Sequence, residues 1–315
     1  MLNRRHLRIK VLQVLYAYYQ SRDDDYKSLE KTLMHSIERM YDLYIYLFLT
    51  FSELKHISTG RMEENKKKIR PSENDLNPNT KFVQNQVIMA IEACQALRKA
   101  SEQKKVNWIG DEKRELFRKM FLHIRDSEVY NTFMNNGRTG FEEDKEFAIA
   151  LFKTEIANFP LLYGFFEEEN IYWLDDIDLM CNMVIKTIKA LSENEALELF
   201  TLYKLDDDER EFVKTLLSKT LVMDAENEAL IDELTRNWEL DRIAKMDVIL
   251  MKMALTELQV FSNIPSSVTL NEYIEIAKFY STPKSNGFIN GILDKAILRL
   301  QKENKMHKIG RGLMK

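Results

Sequence analysis

Arg4, Arg5 and Arg8 fall within about one turn of a predicted helix, and no acidic residue stands among the first 20. A guanidinium is a planar fork of donors that fits a carboxylate or a phosphate with two parallel hydrogen bonds, so three on one short segment suit the gripping of anions. Far along the chain, Lys278, Lys284, Asn286, Phe288 and Asn290 gather around Ser281-Thr282-Pro283. Their side chains offer ammonium groups for phosphate, amides that donate and accept, and a ring with two faces for stacking. Gln13 adds a further amide to the first segment. Each type also has an inert use: arginines pair with acids, and an aromatic ring at helical spacing joins the core.

Other chemistry is hard to place. The five histidines (His6, His35, His56, His123, His307) are scattered, with no pair at metal-ligand spacing on one helix. Glu142-Glu143-Asp144, Glu167-Glu168-Glu169 and Asp206-Asp207-Asp208 are consecutive residues, which diverge around a helix and lack the loop spacing that converges on one cation. Asn136-Gly137-Arg138-Thr139-Gly140 is a turn with no strand before it, so it does not read as a phosphate cradle. The expectation is no catalytic residue, no metal site, no cofactor and no enzyme.

Two stretches must position the anion-seeking residues. Val268 to Leu300 reads as helix, breaker, helix. Thr269 and Glu272 have capping-box spacing ahead of Leu270, Tyr273, Ile274, Ala277 and Tyr280. Pro283 ends that helix, and Ser285-Asn286 can cap a second carrying Ile289, Ile292, Leu293, Ala296, Ile297 and Leu300. Gly291 reads as a place where helices approach closely. The first helix spans about 3–20 with Asn3 as its cap and a stripe of Leu7, Val11, Val14, Leu15 and Tyr18. Arg4 and Arg8 prolong that stripe. Either the first turns project beyond the core and leave the guanidinium groups for phosphate, or the arginines pair with acids elsewhere.

The remaining chain is helical in pattern. A long helix covers 28–58, and residues 60–80, with Lys66-Lys67-Lys68, Pro71 and Pro78, read as a linker. Further helices carry Val83 to Leu97, Leu116 to Ile124, 141–166 broken at Pro160, 172–191, one opened by Asp206, one ending at Trp238 and one capped by Asp241. No strand alternation appears, and with 9 Gly and 5 Pro in 315 residues there are too few turn residues for a sandwich or barrel. The fold class is all-α. Cys94 and Cys181 lie in apolar helical pattern and read as free buried thiols. No run reaches the roughly 18 apolar residues of a membrane span, no signal peptide is evident, and a cytoplasmic protein is expected.

Net charge is -4, but it is unevenly spread. Residues 141–240 hold 25 Asp/Glu against 9 Lys/Arg, while the rest holds 37 basic and 25 acidic residues. Separation on this scale suggests a polyanion-binding surface beside an acidic body.

The pattern Val268-x-Leu270-Asn271-Glu272-x-Ile274-Glu275-Ile276-Ala277-Lys278, then Gly287-Phe288-Ile289-Asn290-Gly291-Ile292-Leu293-Asp294, resembles the NusB transcription antitermination factor family. Asp247 to Leu258 is similar to that family's preceding helix, Trp238 to a recurrent tryptophan, and Arg4-Arg5-x-x-Arg8 to its arginine-rich first helix. Val248 and Gly287 depart from it, standing where basic residues are frequent. The resemblance implies an all-α, NusB-like helical bundle of two small subdomains, from residues 1–20 and 206–315, with residues 21–205 as a large helical insertion. It further implies binding of boxA-type single-stranded RNA with ribosomal protein S10 (NusE) in an RNA polymerase antitermination complex, supporting rRNA transcription. The RNA-binding set would be Arg4, Arg5, Arg8, Gln13, Lys278, Lys284, Asn286, Phe288 and Asn290. The competing expectation is a protein–protein scaffold in transcription or ribosome assembly, with incidental RNA contact.

Overall fold

The computed structural model describes residues 2–21, 26–203, 206–235 and 243–309. Among them are fifteen α-helices and no strand, as the composition required. In chain order they are α1 (Arg4–Ser21), α2 (Tyr26–Lys66), α3 (Glu73–Leu76), α4 (Gln86–Ala93), α5 (Gln95–Lys104), α6 (Asp111–Asp126), α7 (Glu128–Asn135) and α8 (Phe141–Leu151). Then follow α9 (Pro160–Glu169), α10 (Ile177–Ala190), α11 (Asp206–Val222), α12 (Asp224–Leu234), α13 (Lys245–Val260), α14 (Ser266–Tyr280) and α15 (Ser285–Lys302). The chain divides into two compact units, Met1–Ile37 with Tyr203–Lys315, and Glu38–Leu202. Trp238 and the proposed cap Asp241 lie outside the described residues.

The first unit is built on α13. Ile249 to Leu258 is buried without interruption, the signature of a helix surrounded by others, and α1, α11, α12, α14 and α15 all pack on it. Its polar side chains are therefore satisfied by neighbours. Lys252 Nζ pairs with Asp224 at 2.8 Å and Glu228 at 2.9 Å on α12, and Thr256 accepts from Asn227 Nδ2 at 3.0 Å.

Asn3 caps α1 as its type and place predict. Its Oδ1 accepts from the His6 amide at 3.0 Å, while His6 Nδ1 accepts from the Asn3 amide at 3.2 Å. Replacing Asn3 by Ala should cost about 1 kcal/mol, read as a lower urea midpoint with an unchanged slope; no shift would mean that the cap is inert. The buried face of α1 carries Leu7, Val11, Leu12, Val14 and Leu15, with Tyr18 half-buried.

At α14 the sequence reading needs correction. The helix starts at Ser266 behind Pro265, one turn earlier than a Thr269–Glu272 capping box would allow, and both residues are used elsewhere. Nor do Ser285-Asn286 cap α15, whose flanking residue is Lys284 with no side-chain cap bond. Gly291 is also not a point of close approach, since an added Cβ would meet nothing within 4 Å.

In the second unit α2 runs on through Gly60 to Lys66, past the predicted end near 58. The segment read as a linker then forms α3, where Ser72 and Asp75 make a capping box. The helix expected from Val83 to Leu97 is two, because Cys94 turns extended and its Sγ accepts from the Leu97 amide. The core is aromatic. Tyr46, Trp108, Phe117, Phe165, Phe166 and Trp173 form one edge-to-face group, and the buried indole N–H groups of Trp108 and Trp173 donate to the carbonyls of Tyr46 (3.1 Å) and Arg39 (2.7 Å). Cys94 and Cys181 are free and buried, and burial pushes the Cys181 thiol up to about 12. No described helix is long and apolar enough to cross a membrane.

Candidate nucleic-acid interface

The arginines of α1 meet three different fates. Arg8 is 2% exposed and lies against Glu257 of α13, which is fully buried. Its Nε and Nη2 each donate to a Glu257 oxygen at 2.7 Å, a bidentate pair. The same carboxylate accepts from Thr269 Oγ1 at 2.8 Å and Tyr273 OH at 3.2 Å, both on α14. Burial alone would lower the Arg8 pKa, but the bonds to Glu257 outweigh it and hold the guanidinium above its ordinary value. Burial, reinforced by Glu257, pushes the Tyr273 phenol well up. Of the two readings left open for the arginines, pairing with acids describes Arg8. Its guanidinium is not free for phosphate, and it fastens α1 to α13.

Arg5 is intermediate. Its Nε and Nη2 donate to Glu272 at 2.9 and 2.8 Å, yet 39% of its side chain remains exposed. Those hydrogen bonds, with help from the Glu272 charge, raise its pKa against the cost of burial. Arg4 lies 5.1 Å from the centre of the Phe212 ring of α11 and forms no ion pair among the described residues. Together they line a cleft of 430 Å³ whose other wall is the Asn263–Val268 entry to α14. The cleft thus combines a half-exposed arginine, an arginine with no ion pair among the described residues and the start of a helix.

The α14–α15 junction is locked by a buried acid. Asp247, in the first turn of α13, accepts from Ser281 Oγ and, at 2.7 Å, from Ser285 Oγ. Ser285 Oγ in turn accepts from the Thr282 amide at 3.2 Å. With Ser285 directed inward, the polar groups around it are turned outward. Lys278 and Lys284 are exposed, Lys278 paired with Glu275 and Lys284 with no ion pair among the described residues. Asn286 Oδ1 accepts from the Gly287 amide at 2.7 Å, and Asn290 Nδ2 donates to Asp294 at 3.2 Å. Phe288 is half-buried, neither a core ring nor a free one, and Gln13 on α1 is half-buried as well. Both halves of the site meet on α14, where Arg5 pairs with Glu272 and Lys278 with Glu275, one turn further along the helix.

One residue escaped the sequence reading. Phe279, beside Lys278, is 81% exposed. Its neighbours Ile276, Ala277 and Tyr280 carry the apolar stripe, and the only signal was that Phe279 lies off it. The C-terminal basic stretch also has structure. Lys308 Nζ donates to the carbonyls of Glu257 (3.2 Å) and Phe261 (2.9 Å) at the end of α13, and burial lowers its pKa to about 8. No cluster of potential metal ligands occurs among the described residues.

Residues 173–298 match the NusB family. A transcription antitermination protein NusB from Salinibacter ruber is 39% identical over 138 residues, covering 42% of this chain and 86% of that protein. Its namesake from Natranaerobius thermophilus is 34% identical over 99 residues, 31% of this chain and 71% of that protein. A third, from Chloroherpeton thalassium, is 47% identical over 78 residues, 25% of this chain and 37% of that protein. No solved structure matches. With most of the Salinibacter protein's length matched at this identity, and with an all-helical unit built around the matching α13–α15 segment, the chain belongs to the NusB family.

Proposed function

We propose that this chain is a transcription antitermination factor that binds boxA-type single-stranded RNA together with ribosomal protein S10 (NusE), within an RNA polymerase antitermination complex serving rRNA transcription. The observation that carries the reading is the 39% identity to a relative described as a transcription antitermination protein. We take residues 1–20 and 206–315 as the RNA-binding core and residues 21–205 as an inserted extension. Arg4 and Arg5, opening onto the cleft, and Lys278 and Lys284 at the junction would contact phosphates, supplying affinity that falls with salt. Asn286, Asn290 and Gln13 would read base edges or sugars, and Phe288, together with the exposed Phe279 of α14, would stack on unpaired bases. Arg8, sealed against Glu257, serves by positioning α1.

The test is a titration of boxA RNA and a scrambled control, with and without ribosomal protein S10. The intact chain should prefer boxA and bind it more tightly with S10. Arg4→Ala with Arg5→Ala should weaken binding roughly tenfold and reduce the salt slope by about one to two, at ~0.7 per phosphate contact on a single strand. Equal binding of both RNAs would overturn the specificity reading; unchanged affinity in the double variant would overturn the site.

A further inference from the structure

The second unit holds an arrangement that its own stability does not explain. On α6, Arg114, Arg118 and Arg125 fall within a sector of about 40° at 100° per residue, on one side of the buried face of Phe117, Met120, Phe121 and Ile124. Arg61 of α2 continues the buried stripe of Phe51, Leu54 and Ser58 by one turn and emerges at the surface. It faces α6 closely enough that the charges of Arg125 and Arg118 depress its pKa, after burial.

Counter-charges are weak. Arg114 meets Asp111 at 3.5 Å and Arg118 meets Glu115 at 3.9 Å, both pairs of highly exposed side chains on one helix turn. Such pairs contribute little. Arg61 feels Glu64 only as the smallest of its influences. Neither Arg61 nor Arg125 forms an ion pair among the described residues. Like charges held close together repel, and these long, exposed pairs offset little of that repulsion, so the cluster contributes nothing to the isolated fold. It also stands out in a unit where acids outnumber bases.

We propose that Arg61, Arg118 and Arg125, with Arg114 at the edge, form a second phosphate-binding surface, which takes the backbone of single-stranded RNA without regard to sequence. The inference rests on the RNA reading proposed above and adds a contact region outside the cleft and the junction. Guanidinium forks match phosphate oxygens bidentately, and a polyanion is the ligand that turns mutual repulsion among the arginines into shared attraction. With Leu122 exposed nearby and the adjacent rings of Phe117 and Phe121 turned into the core, the surface supplies charge without stacking. It therefore grips a strand and does not read it.

The experiment uses the full chain and a labelled oligouridine of about twenty nucleotides, titrated across potassium chloride concentrations. The variant is Arg61→Gln, Arg118→Gln, Arg125→Gln. Affinity at low salt should fall at least tenfold, and the salt slope should drop by about two, as expected for three lost phosphate contacts on a single strand. The urea midpoint should stay level or rise, because repulsion is relieved. Unchanged affinity and slope would overturn the proposal. So would a polyglutamate of equal length that competes with the RNA as strongly per charge and loses its grip in the variant, which would assign the surface to an acidic protein. Preference for boxA over scrambled RNA should survive in the triple variant. Failure of boxA preference in the parent chain would sink the specificity reading and leave this one standing.

Discussion

Replacing Glu257 by Ala should unfold the first unit more readily than any surface change, with a loss of about 3–5 kcal/mol. The carboxylate is fully buried and accepts four hydrogen bonds, two from Arg8 and one each from Thr269 and Tyr273. Its removal leaves the buried Arg8 guanidinium with only the more distant Glu272, 3.7 Å from Nη1 and already shared with Arg5, along with two buried hydroxyls without their acceptor. Hydrogen exchange at the amides of α13 is the suitable measurement, since a chain of two compact units need not unfold in one step. Arg8→Met combined with Glu257→Leu should recover much of the loss, because an apolar pair of similar volume carries no desolvation penalty. A single-variant loss below about 1 kcal/mol would show that the pair is solvated and that α1 is held by its apolar face alone.

Asp247→Ala should have the next largest effect, about 2–4 kcal/mol, from two lost hydrogen bonds to a charged acceptor at a buried site. Its consequence for binding is more telling than its consequence for stability. Asp247 holds Ser281 and Ser285, and Ser285 fixes where α15 begins, so Lys284, Asn286 and Phe288 lose their common register when it goes. The expected result is boxA affinity reduced by an order of magnitude or more, about 1.4 kcal/mol, at a temperature where circular dichroism shows the helices intact. Asp247→Asn, which retains one acceptor oxygen, should fall between. Intact binding in a variant with a loosened junction would remove the junction from the interface.

The helical frame was legible because helical signals are local. The stripe of α1, the Asn3 cap, the break at Pro283 and the apolar face of α15 all follow from residues within a few positions of one another. What failed was mostly non-local. Thr269 and Glu272 have the spacing of a capping box, but a buried carboxylate and an arginine from α1 compete for them and win. Arg8 looked available because its counter-ion is 249 residues away. The run of α2 past Gly60 was hidden because a glycine inside a helix weakens it by only about 1 kcal/mol and need not end it. The division at Cys94 turns on a thiol whose Sγ contacts Leu197, again out of sequence reach. Within the candidate site, residue types were readable and exposure was not: Phe279 is more open than Phe288, though only Phe288 sits in the family pattern.

The Arg8–Glu257 pair also sets an order of events during synthesis. The unit Glu38–Leu202 is continuous in sequence and has its whole segment once Leu202 has left the ribosome. The other unit does not. Helix α1 emerges with Leu7, Val11, Leu12 and Leu15 uncovered, and Glu257, the acid that grips Arg8, follows it only 249 residues after Arg8. Such long-range closure is slow compared with local helix packing. Until α13 is made, the nascent chain therefore carries a positively charged helix with its apolar face uncovered. The RNA-binding face proposed for this helix takes its final form only when α13 and α14 arrive.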